Sequence, residues 1–149
     1  MMVPVESEDA IVEATGTTDW VLAQRLINQV YESLWLPEGL SDHEKSERLQ
    51  AAAKILRGIK PQDELEGVLA TQMVATHMAA MECLRRAMIP GQPVQGRESN
   101  LRHAAKLLSV FTKQLEALNR NRGKGQQKVT VEHVHVQSGG QAIVGNVAK

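Results

Sequence analysis

Two neighbouring features near the C-terminal end carry the side chains best placed for chemistry. His133-Val134-His135 sets two imidazoles two residues apart, and in an extended strand that spacing puts both on one face. One chain then offers two ligands, fewer than the roughly four to six of a closed metal site. Copies gathered around a symmetry axis would complete it, so His133 and His135 are candidate ligands for a transition metal. The plainer alternative is a polar face bonded to water. Just upstream lie Arg120, Arg122, Lys124 and Lys128, with no acidic residue among them. Such a run can meet the phosphates of double-stranded DNA, and an assembly of copies would multiply it into a basic band. The run has no interleaved aromatic residue, which argues against base stacking on single strands. The alternative here is a helix end that favours cations.

The rest of the chain offers little for catalysis. It has no nucleophile elbow, phosphate loop, dinucleotide fingerprint or zinc-protease helix motif. Cys83 sits among apolar and small residues, where a thiol behaves as a small hydrophobe rather than a nucleophile. His43, His77 and His103 are scattered singly, and Asp63, Glu64 and Glu66 suit the acidic first turn of a helix. A non-enzymatic protein is expected, with no small-molecule substrate and no cofactor beyond the candidate metal.

Composition sets the frame for these side chains. The chain has 149 residues, and its 17 Lys and Arg balance 17 Asp and Glu, so no global charge draws it to nucleic acid. The distribution is uneven: residues 1–19 hold Glu6, Glu8, Asp9, Glu13 and Asp19 and no base. Trp20, Trp35, Tyr31 and Phe111 are the only aromatics apart from histidine, so the core must come from Leu, Ala, Val and Met. A single cysteine fits a reducing compartment. The acidic N-terminus lacks the apolar run of a secretory signal, and no segment has the roughly 20 apolar residues of a membrane span. A cytoplasmic location without membrane contact is expected.

The elements that must position the candidate residues follow from periodicity. Residues 1–16, acidic and holding Pro4 and Gly16, read as a flexible arm. A first helix begins at a Thr17-Thr18-Asp19 cap and carries Leu22, Leu26, Ile27, Val30 and Leu34 to about Trp35. Pro37 and Gly39 break it, and Ser41-Asp42-His43-Glu44 has capping-box form. The second helix points Leu49, Ala52, Ala53 and Leu56 inward and ends near Gly58. Pro61 suits the first position of a long third helix running toward Pro90, with a small-residue stripe at Ala75, Ala79, Cys83 and Ala87. After a loop at 91–96, Ser99 or Asn100 can cap a fourth helix to about Asn121. Its Leu101, Ala104, Leu108, Phe111, Leu115 and Leu118 alternate three and four apart in heptad fashion. That seam can face the third helix, a neighbouring copy, or both.

Beyond Asn121 the period changes from 3.6 to 2. Val129, Val131, His133 and His135 share one face of an alternating strand, and Lys128, Thr130, Glu132, Val134 and Val136 share the other. Ser138-Gly139-Gly140 suits a tight turn, and a return strand over 141–147 includes Ile143. A lone hairpin is marginal in water, so these strands are expected to pair between copies. The expected fold is mainly α: a bundle over 17–121 with a long antiparallel helical hairpin, and a C-terminal β-hairpin tail over 122–149. Leu101, Leu108, Phe111, Leu115, Val129, Val131, Val134, Val136 and Ile143 are the expected association residues of a homo-oligomer.

This order of elements, over roughly residues 20–147, resembles the small terminase subunits of tailed phages, where helical hairpins assemble a ring and C-terminal strands close a barrel. The resemblance implies a DNA-recognition factor for packaging. The chain departs from it in its zero net charge and in a linker, Leu36-Pro-Glu-Gly-Leu40, longer than a helix-turn-helix turn. The wording of Asp63-Glu-Leu-Glu, Ala80-Met-Glu-Cys-Leu-Arg-Arg-Ala87 and Gly140-Gln-Ala-Ile-Val-Gly-Asn-Val147 also resembles a family of uncharacterised proteobacterial and prophage-type proteins. Separately, the His133-Val134-His135 pair resembles the iron-binding arrangement of trimeric phage fibre and spike tips, which implies a trimeric structural protein with a metal in its strands.

Overall fold

A computed structural model describes residues 8–123. Five helices follow one another: α1 (Glu8–Thr15), α2 (Trp20–Glu32), α3 (Asp42–Ile59), α4 (Glu64–Ala87) and α5 (Val94–Asn121). The chain is mainly helical, as its periodicity implies. The expected strands around Val129, Val131, Val134, Val136 and Ile143 lie outside the described residues.

The N-terminal reading needs correction from residue 8 onward. Residues 8–15 are not an arm but the helix α1, with Ile11, Ala14 and Thr15 buried. Glu8 and Asp9 occupy its first turn, where the helix dipole favours negative charge, so acidity there marks a helix start rather than a solvated segment. The Thr15 hydroxyl donates to the Ile11 carbonyl at 2.8 Å. Gly16, at φ 69°, then turns the chain in the left-handed region.

Caps fix the next two helices. Asp19 accepts from the Leu22 amide, and Val30 and Ile27 turn inward along α2. Ser41 and Glu44 form the full capping box: the Ser41 hydroxyl accepts from the Glu44 amide at 3.2 Å, and the Glu44 carboxylate accepts from the Ser41 amide at 2.8 Å. The Ser41 hydroxyl also donates to that carboxylate, which holds the Glu44 carboxyl below its usual range. Leu49, Ala52, Ala53 and Leu56 are buried along α3 as their spacing requires.

The core is small and lies between α1, α2, α3 and the first two-thirds of α4. Ile11, Ala14, Ala23, Ile27, Val30, Ala52, Leu56, Ala70 and Val74 form one buried cluster, with Met78 against its edge. Gly67 lets α1 reach α4 at close range: a Cβ there would stand 2.1 Å from the Thr15 carbonyl oxygen.

The long hairpin differs from expectation at both starts. Pro61 is buried but precedes the helix; Asp63 is the cap of α4 and accepts from the Glu66 amide at 2.8 Å. At the far end Gln92 donates through Nε2 to the carbonyls of Arg86, Ala87 and Ile89 and so closes α4. The connection is 88–93, as long as the expected 91–96 loop but three residues earlier. Helix α5 begins at Val94 behind Pro93, not at Ser99 or Asn100. Asn100 lies inside the helix, donating to the Gly96 carbonyl.

Candidate self-association face

Helix α5 packs against α4 alone among the helices described. Ala104 and Leu118 are buried and Leu107, Phe111 and Gln114 half-buried, so the intramolecular seam runs 104, 107, 111, 114, 118. The Phe111 ring stands 6.1 Å from that of His77 on α4. On the α4 side Met73, Ala80 and Ala87 are buried at seven-residue spacing, in line with Glu66. Of the small-residue stripe expected at Ala75, Ala79, Cys83 and Ala87, Ala87 joins this seam, whereas Ala79 is exposed and Ala75 and Cys83 are half-buried.

The heptad positions are therefore divided. Ala104, Phe111 and Leu118 turn to α4, and Leu101, Leu108 and Leu115 turn aside at 39%, 41% and 42% exposure. Val94, seven residues before Leu101, is 67% exposed and extends the row along the whole helix. Positions seven apart drift only about 20° around a helix, so Val94, Leu101, Leu108 and Leu115 form one apolar ridge. Val94 was missed in the sequence because the helix start was placed too late, though the spacing 94, 101, 108, 115 is legible there. Beside the hairpin's base, a cavity of about 320 Å³ opens between α4 and α5, lined by Leu65, Val68, Leu69, Gln72 and Ala117.

The basic run begins where α5 ends. Arg120 is exposed in the last turn. Arg122 is placed otherwise than a phosphate-facing cation would be. Its Nε donates to both Glu66 carboxylate oxygens at 3.1 and 3.0 Å, and its Nη2 donates to Glu66 Oε2 at 2.6 Å. The same Nη2 meets the carbonyls of Ile59 and Lys60 at 3.0 and 2.8 Å. Asn121 and the Gln62 amide also donate to Glu66. Glu66 is only 2% exposed. Hydrogen bonding from Arg122 holds its carboxyl down at about 2, against the opposing effect of burial. This pair ties the end of α5 to the α3–α4 junction, where Lys60 sits in the left-handed region at φ 52°.

Lys124, Lys128, His133 and His135 lie outside the described residues. Among the described residues no group of three or more His, Cys, Asp or Glu side chains could hold a metal, and no helix is long and apolar enough to cross a membrane. Compared with protein families, curated proteins and solved structures, the chain matches none.

Proposed function

We propose that the protein is a non-catalytic, self-assembling factor whose α4–α5 hairpins pack between copies and carry a basic neck to double-stranded DNA, in the manner of a phage-type packaging component. One observation carries the self-assembly reading: among the described helices α5 is supported by α4 alone, and Val94, Leu101, Leu108 and Leu115 form a partly exposed apolar ridge. Covering the exposed part of each leucine contributes roughly 1 kcal/mol, and several copies of the ridge add. The ridge on α5 and the cavity between Leu65, Val68 and Ala117 are different surfaces. Contact between unlike surfaces propagates head to tail and closes into a ring when the rotation permits. The DNA part rests on the basic run of Arg120, Lys124 and Lys128 in the sequence, from which the Glu66 pairing takes Arg122.

The test is the mass of the native assembly together with its affinity for duplex DNA at low and moderate salt. A ring-sized oligomer is expected, binding DNA with a steep salt dependence that weakens in an Arg120→Ala/Lys124→Ala variant. A well-formed oligomer with no DNA affinity at low salt removes the nucleic-acid part and leaves the self-assembly part standing.

A further inference from the structure

The core-facing stripe of α4 runs on past the core. Gly67, Ala70, Val74 and Met78 meet α1, α2 and α3, and the same face continues through Met81, Arg85 and Met88. Met81 and Met88 are 47% and 66% exposed. Next to Met81 stands Trp35, from the segment joining α2 and α3, with half of its surface in water. Two arginines hold it there. Arg48 Nη1 donates to the Trp35 carbonyl at 3.1 Å, and the Arg86 guanidinium lies 4.4 Å from the indole ring centroid. Leu34, Trp35, Ala51, Met78 and Met81 enclose a cleft of about 280 Å³, with Arg48, Glu82 and Arg85 at its rim.

The charge of the rim is one-sided. Glu82 accepts from Arg85 Nε and Nη2, both at 2.8 Å, and from Arg86 Nε at 2.7 Å. Two guanidiniums thus share one carboxylate while Arg48 adds a third cation at the rim, and Arg85 keeps more than half of its side chain in water. The chemistry selects among ligands. A cleft this size is slightly below the roughly 300–1,000 Å³ of small-molecule sites, and suits one or two inserted side chains. Its walls, Leu34, Ala51, Met78 and Met81 beside the Trp35 indole, suit an apolar side chain, and the three rim arginines outnumber the single Glu82 carboxylate. Trp and Arg at the centre of a patch are typical binding anchors, and methionine adapts to apolar side chains of different shape.

We propose that this cleft docks an acidic peptide segment of a partner protein. A large apolar side chain enters between Trp35, Met78 and Met81, and flanking carboxylates meet Arg48 and Arg85. The site is lined from α3, α4 and the α2–α3 segment and uses no residue of α5, so it stands independently of the self-association face.

The experiment uses the full chain carrying Trp20→Phe, so that Trp35 alone reports in fluorescence. The probes are two synthetic hexapeptide pools, each with a central pair of Leu, Phe or Met, flanked by Asp and Glu in one pool and by Lys in the other. We expect the acidic pool to bind, to shift the Trp35 emission, and to lose affinity at least tenfold in Arg48→Glu/Arg85→Glu protein of unchanged helicity. Equal binding of both pools overturns the proposal, as does failure of the acidic pool at millimolar concentration. Acrylamide supplies a second readout: Trp35 that is shielded in the assembled protein before any peptide is added means a second copy covers the cleft, which also overturns it.

Discussion

At the scale of single residues, the Glu66–Arg122 pair shows most clearly why a charge in the sequence need not be a charge on the surface. Arg122 belongs by position to a basic run, yet it satisfies a carboxylate 56 residues away and two backbone carbonyls. Removing one partner of a buried pair costs about 3–5 kcal/mol, because the other is left uncompensated. We therefore expect Arg122→Ala to destabilise by about that amount in urea unfolding, and Arg122→Ala with Glu66→Gln to recover part of it. The pH dependence has a definite sign. The folded Glu66 carboxyl titrates at about 2 against an ordinary 4.5, so the unfolded chain binds the extra proton first. The pair's stabilisation is complete above about pH 5 and is lost as pH falls through 4.5 toward 2. Urea midpoints between pH 6 and 2 should show that loss in the parent and much less of it in Glu66→Gln. Gly67 sets a second local condition. A methyl group there meets the Thr15 carbonyl oxygen, and Gly67→Ala should cost about 3 kcal/mol in thermal or urea unfolding, although alanine is the better helix former. Neither residue could be singled out from the sequence: Glu66 reads as a helix-start acid, and nothing near Gly67 in the chain shows that Thr15 approaches it.

At the scale of elements, local signals were readable and long-range ones were not. The Ser41 capping box and the inward spacing of Leu49, Ala52, Ala53 and Leu56 are written within a few residues, and they stand as read. Ser41→Ala should cost about 1 kcal/mol, measurable as a shifted urea midpoint. Helix α1 was hidden because it is only 8 residues long and its acids mimic a solvated arm. Its support is tertiary, through Ile11 and Ala14 in the core and Thr15 against Gly67. A chain truncated before Thr17 should therefore lose the cooperative core, where loss of a mere arm would leave the unfolding transition unchanged. The division of the α5 heptad was half legible. Three-and-four spacing marks two adjoining apolar edges, and only the position of α4 assigns Ala104, Phe111 and Leu118 to one and Leu101, Leu108 and Leu115 to the other. Leu101→Lys/Leu108→Lys changes only the second edge. It should leave far-ultraviolet circular dichroism intact while reducing any assembly by sedimentation.

At the scale of the whole molecule, a small helical head holds one end of a long hairpin whose second helix has a single neighbour among the described helices. That arrangement exposes an apolar ridge on α5 and a cationic cleft beside Trp35. We assign the ridge to copies of the chain and the cleft to a partner. The central claim is self-assembly through α5, and the native mass of the full chain across concentration tests it most directly. The account expects a discrete oligomer at micromolar concentration that Leu101→Lys/Leu108→Lys converts to helical monomer. A parent chain that remains monomeric at about 100 µM, or an oligomer untouched by those two lysines, contradicts it.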